Sequence, residues 1–497
     1  MRLSQVIDGT GASGDLGSDP EVALVTGDSR AARPGAVFFA LPGTKADGHD
    51  FAAAAARAGA VAVVAERQVD SGPALLLLAP NARRAMALAA GNFHGHPGRA
   101  LRLCGVTGTK GKTTITYLVE SCAAAGGVPA GVVGTVTYRY PGTSRPAPHT
   151  TPESTDLQAL LAEMVRAGTR LAVLEVSSHA LAQERAAGLS FQAAGFTNLT
   201  RDHLDYHRDE EDYFQAKRRL FGELLAPAGV AVVNAGDPHG ARLASELAGA
   251  GRTVWRYGLP SGDLVARDAR LGLAGIETAI RTPSGELPVR SRLVGAHNLE
   301  NLLCAAGLAL AMGLPAEAVA GGLTACPGVP GRLERIEARG ISAFVDYAHT
   351  DDALAKACAA LRELSPRRLL VVFGCGGDRD RGKRPLMGLA AGLAADLVVV
   401  TSDNPRGEDP DAIIAAIVPG VEQAGLRRLS TGDVRRGAKG YAVLPDRREA
   451  ISLALAAARE GDAVLIAGKG HEDYQIVGSE KRHFDDREEA RRALGLA

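Results

Sequence analysis

The sequence predicts an α/β protein of three domains, and three observations point there. Apolar runs alternate with Ala-rich stretches along the chain, as strands alternate with the helices that cover them. At 497 residues the chain exceeds one ordinary core, since domains hold roughly 100–200 residues each. Two Gly/Pro-containing stretches, GNFHGHPGRA (91–100) and CPGVPGR (326–332), interrupt the pattern and mark boundaries. The domains are therefore placed at 1–99, 100–330 and 331–497.

The first is a small α/β domain. Its strands are AVFFAL (36–41), AVAVVAE (60–66) and ALLLLAP (74–80), and HDFAAAAARAGA is a covering helix. The central domain opens with the strand RLCGVTG (102–108) and the helix KTTITYLVESCAAAG (112–126), then returns to strands at RLAVLEV (170–176) and GVAVVNA (229–235). This is βαβ grammar, hence a largely parallel sheet. The last domain repeats it in a Rossmann-like arrangement with ISAFVDYA, RRLLVVFGCGG, ADLVVVTSDNP and DAVLIAGKGHE. Its loops follow strand C-terminal ends, where ligands sit in open α/β sheets.

Composition excludes several classes. Apolar residues make up 46% and charged residues 23%, which is ordinary for a folded globular chain. Lys+Arg and Asp+Glu are each 56, so no global field draws nucleic acid or an anionic membrane. Six scattered cysteines without a C-x-x-C pair argue against a zinc site or a disulfide framework. No leader pattern opens the chain and no run of 18 apolar residues follows, so a cytoplasmic protein without membrane insertion is expected. A monomer is expected as well.

The segment GVTGTKGKTT (105–114) lies between strand and helix, the context that a phosphate-binding loop requires. Gly108 and Gly111 let backbone amides approach phosphate oxygens, Lys112 supplies a point charge, and the Thr113 hydroxyl can reach magnesium. The strict eight-residue template would place a glycine where Val106 stands, so the match is to a G-T-x-G-K-T variant. Such a loop fixes a nucleotide and leaves the reaction open. A GTPase switch would need an N-K-x-D base-specificity box, and none is found.

Glu175 ends the strand RLAVLEV and precedes SSHAL, which puts a carboxylate, hydroxyls and an imidazole at a sheet edge. The carboxylate can help hold magnesium; Ser177 and Ser178 read equally as a helix N-cap cluster. Asp202, His203, Asp205 and His207 crowd six positions, either as a metal-ligating or carboxylate-orienting group or as a solvated polar loop. Lys217, on the helix-like YFQAKRRLF, is by spacing an ordinary surface lysine.

The motifs GTKGKTT, TTPEST (150–155), EVSSHAL (175–181), TNLTRDHLDYH (197–207), AKRRLF (216–221), AHNLENLLCA (296–305), VDYAHT (345–350) and AGKGHEDYQ (467–475) occur in the order found in Mur ligases. The chain resembles that family over essentially its whole length. The resemblance implies an ATP- and magnesium-dependent, amide-bond-forming enzyme of cell-wall synthesis. Its substrates would be a UDP-N-acetylmuramoyl dipeptide and meso-diaminopimelate, and its intermediate an acyl phosphate.

By resemblance the three domains bind the UDP substrate, ATP and the amino acid in turn. The ATP site would comprise Gly108, Thr109, Lys110, Gly111, Lys112, Thr113, Thr114, Asn298, Arg332 and Asp346. Thr113, Glu175, His203 and Lys217, the last as a carbamate (N6-carboxylysine), would hold magnesium; Lys112, Lys217 and His203 would be catalytic. Ser29, Thr44, Lys45 and Ala46 would meet the uridine nucleotide, and Thr150, Thr151, Ser177, Gln183 and Arg185 the muramoyl dipeptide.

The choice of amino acid is expected to reside in SDNPRGEDP (402–410). Lysine and diaminopimelate differ by one far-end carboxylate, so a guanidinium is the natural discriminator. Arg406 is the expected carboxylate partner, with Arg379, Asp403, Asn404, Pro405, Gly468 and Glu472 around it, Glu472 facing the ammonium. An Asn-Pro turn would account for Asn404 and Pro405 but not for Arg406. Two positions depart from the family pattern: Lys110 stands where Asn is usual, and Asp351 where Pro is usual, which leaves the turn after His349 and Thr350 open.

Overall fold

A computed structural model describes residues 1–43 and 46–496. The chain divides into two compact units. One comprises Met1–Val265, Ile280–Leu287 and Glu300–Leu323, the other Ala266–Ala279, Pro288–Leu299 and the chain from Thr324 on.

In the first unit, Leu24–Thr26, Ala36–Phe39, Ala62–Ala65 and Leu75–Leu78 form a parallel four-stranded sheet in chain order. Both faces are covered, which is why AVFF is apolar throughout. Phe39 packs with Leu3, Val6 and Met86 on one face, and Phe38 with Ala52, Ala55 and Ala56 on the other.

The second sheet of this unit has eight strands, in the order Thr253–Tyr257, Leu225–Asn234, Phe191–Phe196, Arg102–Thr107, Leu171–Glu175, Ala130–Val133, Thr137–Tyr140 and Thr143–Pro146. The first six run parallel, and the last two add antiparallel strands at the edge. Helix Glu210–Arg219 carries Lys217 and runs directly into a π turn, Leu220–Leu224. Such turns recur at functional sites.

Val265–Gly272, Gly275–Thr282 and Gly285–Ser291 form a three-stranded sheet that the sequence reading did not anticipate. In the second unit a six-stranded sheet has the order Glu334–Ala338, Ile341–Asp346, Ala463–Ala467, Leu369–Phe373, Leu397–Val400 and Gly440–Val443. All but the first strand are parallel, so four predicted strands end at one edge. Asp351 opens helix Asp351–Glu363 behind an ordinary Thr350 N-cap, which settles the turn left open above. All six cysteines are buried. No described helix is long and apolar enough to cross a membrane.

Candidate active site

Register places the first group of residues. Val106 pairs with both Glu175 and Gly195, so three neighbouring strands release their following loops at one sheet edge. The loop after Thr107 needs glycine: φ is +141° at Gly108 and +89° at Gly111, and a Cβ on Gly108 would lie 1.8 Å from Thr197 Oγ1. Helix Lys112–Ala125 starts at Gly111 without a side-chain cap. Its first-turn amides therefore suit an anion.

The TNLTRD segment pins this loop from the side. Asn198 accepts the Thr109 N–H on its carbonyl at 2.9 Å and the Lys110 N–H on Oδ1 at 3.0 Å. Thr197 Oγ1 donates to the Lys110 carbonyl at 2.6 Å.

Two lysine side chains share one acceptor. Lys112 Nζ donates to the Gly108 and Thr109 carbonyls at 2.8 and 3.0 Å, and Lys217 Nζ reaches the same Gly108 oxygen at 2.9 Å. Lys217 is buried, 1% exposed, and lies 4.3 Å from the Tyr213 ring centre. The surface lysine suggested by spacing is thus corrected: position 217 is on the same buried face of its helix as Tyr213 and Phe214. Burial first, then the charge of Lys112, holds the Lys217 amine well below the usual lysine range. Burial also lowers Lys112, with Glu175 and Asp202 opposing it.

Glu175 is the buried acid of this edge. Its Oε2 accepts from Thr113 Oγ1 and Thr135 Oγ1, each at 3.0 Å, and its Oε1 from the Thr135 N–H at 2.9 Å. A hydroxyl and a carboxylate oxygen side by side fit the hard-cation preference of magnesium. No cluster of three or more His, Cys, Asp or Glu able to hold a metal occurs among the described residues.

His203 is half exposed, 3.8 Å from Asp202, with its ring edge-on to His179. His207 is buried on Ser178 Oγ at 3.0 Å and near Asp212 at 3.4 Å, so that part of the polar stretch is neither solvated nor open.

The residues assigned to the muramoyl dipeptide gather beside Glu175. Thr151 Oγ1 donates to the Glu175 carbonyl at 2.7 Å, and Thr150 Oγ1 lies 3.1 Å from Thr135 Oγ1. Ser177 caps helix Ser178–Ala182. Arg185 pairs with Glu153 at 2.7 Å and donates to Gln183 Oε1 at 2.8 Å and to the Thr151 carbonyl at 2.8 Å. Ser29 lies in a 3-10 turn capped by Asp28, and Ala46 is exposed. Thr44 and Lys45 lie outside the described residues.

In the second unit, Asn404 Nδ2 donates to Glu472 Oε2 at 3.0 Å, and its Oδ1 accepts from Lys469 Nζ at 3.0 Å and the Ile476 N–H at 2.9 Å. Arg406 is half-buried at φ +51°. Its Nη1 donates to the Gly377 carbonyl at 3.0 Å and the Asn404 carbonyl at 3.4 Å. Asp403 packs where a Cβ on Gly468 would come within 2.4 Å of its Oδ2. Pro405 turns the chain, its carbonyl accepting the Glu408 N–H at 3.0 Å. Burial and the Asp403 charge raise Glu472, with Asn404, Lys469 and Arg406 pulling it back. Arg379 is exposed and bonds to the Asp378 carbonyl at 3.1 Å.

Asp346 accepts the Leu333 and Ala348 N–H groups at 2.8 and 2.9 Å, and burial raises its carboxyl. The Arg332 guanidinium lies 5.2 Å from the Tyr347 ring centre, and Asn298 Nδ2 donates to the Val294 carbonyl at 2.8 Å.

Family models match in three segments: "Mur ligase family, catalytic domain" over residues 21–90, "Mur ligase middle domain" over 106–309, and "Mur ligase, glutamate ligase domain" over 331–470. The chain belongs to the Mur ligase family. Among its curated relatives, a UDP-N-acetylmuramoyl-L-alanyl-D-glutamate--2,6-diaminopimelate ligase of Geobacter metallireducens is 49% identical over 99% of this chain and 97% of its own. One of the same name from Gloeobacter violaceus is 47% identical over 99% and 98%. A solved structure of an enzyme so named superposes with a TM-score of 0.75 at 34% identity, covering 100% of this Mur ligase and 99% of the other chain. A folylpolyglutamate synthase from Mycobacterium tuberculosis shares the fold at 20% identity, with a TM-score of 0.59 over 82% of this chain and 94% of its own.

Four residues of the two groups described in this Mur ligase escaped sequence reasoning. Asn198 and Tyr213 lie in or beside motifs already singled out, and Lys469 lies between the glycines of GKGHE. Thr135, in the bend between the strands Ala130–Val133 and Thr137–Tyr140, carries no sequence signal.

Proposed function

We propose that this Mur ligase joins meso-diaminopimelate to UDP-N-acetylmuramoyl-L-alanyl-D-glutamate at the expense of ATP, yielding ADP and phosphate. The observation that carries the reading is the placement of a guanidinium and a carboxylate in two loops at one edge of the six-stranded sheet. Arg406 and the Asn404–Glu472 pair complement the carboxylate and ammonium at the far end of diaminopimelate. The names of relatives 47–49% identical over nearly the whole length support the same substrate.

A carboxylate is a poor electrophile because oxide is a poor leaving group. Transfer of a phosphoryl group from ATP to the acceptor carboxylate forms an acyl phosphate; the amine attacks its carbonyl, and phosphate leaves as the amide forms. In this reading Gly108–Thr114 hold the triphosphate, with Lys112 neutralising charge as it shifts between oxygens. Thr113 and Glu175 would hold magnesium, which when bound supplies further neutralisation of the phosphates.

Burial lowers the proton affinity of the Lys217 amine, which favours the reaction with carbon dioxide, the carbamate forming as one proton is released. Its carboxylate would add the acidic oxygens that Glu175 and the Thr113 hydroxyl alone leave short, and His203 is assigned to the same ion. Asn298, Arg332 and Asp346 are assigned to the nucleotide, and Thr150, Thr151, Ser177, Gln183 and Arg185, with Ser29 and Ala46, to the UDP substrate. The three domains at 1–99, 100–330 and 331–497 divide these tasks.

Phosphate release is expected only when ATP, magnesium, the UDP-muramoyl dipeptide and meso-diaminopimelate are all present. Release that persists without the amino acid would overturn the reading.

A further inference from the structure

We propose that Lys469 is a positioning residue for amino-acid recognition: its ammonium sets the orientation of the Asn404 amide and keeps the Glu472 carboxylate ready for the ammonium of the substrate. The proposal rests on the diaminopimelate reading above and adds to it a residue that contacts no reacting atom.

Lys469 is fully buried. Its Nζ donates to Asn404 Oδ1 at 3.0 Å and to the Tyr474 carbonyl at 2.6 Å, and lies 3.7 Å from Asp403 Oδ1 and 3.9 Å from Glu472 Oε2. The turn that delivers it is locked on both sides. A Cβ on Gly468 would meet Asp403 Oδ2 at 2.4 Å, and one on Gly470 would meet Tyr347 Cβ at 2.6 Å.

The amide of Asn404 has one polar orientation here. Its Oδ1 takes the Lys469 ammonium and the Ile476 N–H, and only then does Nδ2 point at Glu472 Oε2. A flip would set N–H groups against an ammonium that has no acceptor to offer.

Charge gives the second half of the argument. Asp403, Glu472 and Lys469 together carry a net −1 when ionised, and the buried Arg447–Asp486 pair at 2.7 Å cancels itself. One incoming ammonium completes that balance, while Arg406 remains for the carboxylate. An ammonium buried for packing alone is costly, and an apolar side chain would fill the space more cheaply.

The groups acting on Glu472 are Asp403, Lys469, Arg406 and the Asn404 amide; Arg447 and Asp486 act on Lys469, and Tyr347 and Tyr474 face Glu472. Burial and Asp403 push Glu472 up, and Lys469 is one of the groups that restrain it. Without that charge Glu472 takes its proton at higher pH, and a protonated acid no longer attracts an ammonium.

The test is steady-state phosphate release by the full-length enzyme. Lys469→Met should raise the KM for diaminopimelate about tenfold or more, with the KM for ATP changed by less than about twofold. The penalty should be larger near about pH 7 than near about pH 9. Combining it with Glu472→Gln should add little to the effect of Glu472→Gln alone, because both act through one group. Equal rises in both KM values, a penalty independent of pH, or effects that multiply would overturn the proposal, since a merely structural lysine gives those results. If Lys469→Met does not fold, Lys469→Gln is read by the same criteria. A wild-type enzyme silent toward diaminopimelate would instead sink the functional reading, whereas an active one indifferent to Lys469→Met sinks this inference alone.

Discussion

Arg406 already spends Nη1 on two carbonyl oxygens, yet a guanidinium has five N–H donors and can still grip a carboxylate with two of them. Arg406→Ala should therefore remove a charge-assisted contact of about 1.5–3 kcal/mol, raising the KM for diaminopimelate about ten- to hundredfold while that for ATP stays within about twofold. Kinetics with each substrate varied in turn check this. At Lys217 the expected loss is in turnover: Lys217→Ala should lower kcat by about two orders of magnitude or more.

The Lys217 amine also has a signature in stability. Its folded pKa lies well below the unfolded value, so in the window between them the unfolded chain holds a proton that the folded chain does not. Stability then rises with pH across that window, and Lys217→Met should flatten the dependence, as urea midpoints at successive pH values would register. The two lysines show what sequence can disclose about a residue. Position 217 was recognisable only by its motif, because helical spacing does not report which face is buried; position 469 passed unnoticed, because a lysine between glycines reads as a loop.

Among elements, the helix that carries Lys217 begins at Asp209, whose side chain accepts the Asp212 N–H at 2.8 Å. Asp209→Ala should cost about 1 kcal/mol, visible as a lowered denaturation midpoint. The phosphate loop responds differently. Gly108→Ala would set a Cβ 1.8 Å from Thr197 Oγ1 at φ +141°, so the KM for ATP should rise about tenfold or more through loop distortion; isothermal titration with ATP would find weakened binding in a protein that still folds.

The parallel strands were legible because burial on both faces leaves continuous apolar runs such as LLVVF and AVLIA. The sheet over 265–291 was not. Its strand Gly275–Thr282 alternates buried and less buried positions, and charged residues stand in all three strands, so no apolar run announces it. The π turn after Arg219 was equally hidden, since nothing in LFGEL distinguishes it from continued helix.

At the scale of the whole molecule, the order of motifs along the chain disclosed the family, and parallel-sheet topology explains why they serve together. Glu175, the Gly108 loop and Asn198 are 23 or more residues apart along the chain, yet each ends or follows one of three adjacent strands. Asn404 and Glu472 likewise follow separate strands of the six-stranded sheet, Leu397–Val400 and Ala463–Ala467. Hydrogen-bond partners such as Thr135 and Lys469 were illegible because they depend on register, which sequence alone does not fix. Beneath the second candidate site the buried Arg447 donates to the Ser402 and Ala467 carbonyls at 3.3 and 2.9 Å, tying the starts of both loops to Asp486. Asp486→Ala should strand that guanidinium in the core at a cost of about 3–5 kcal/mol, seen as a fall in the melting temperature.

The central claim is that Arg406 and Glu472 read the far end of the amino acid. It is tested most directly by titrating meso-diaminopimelate and L-lysine against phosphate release by the wild-type enzyme and the Arg406→Ala variant. The wild type should prefer diaminopimelate by about a hundredfold or more in kcat/KM, and the variant should lose most of that preference. Comparable use of lysine by the wild type, or an undiminished preference in the variant, would contradict the account.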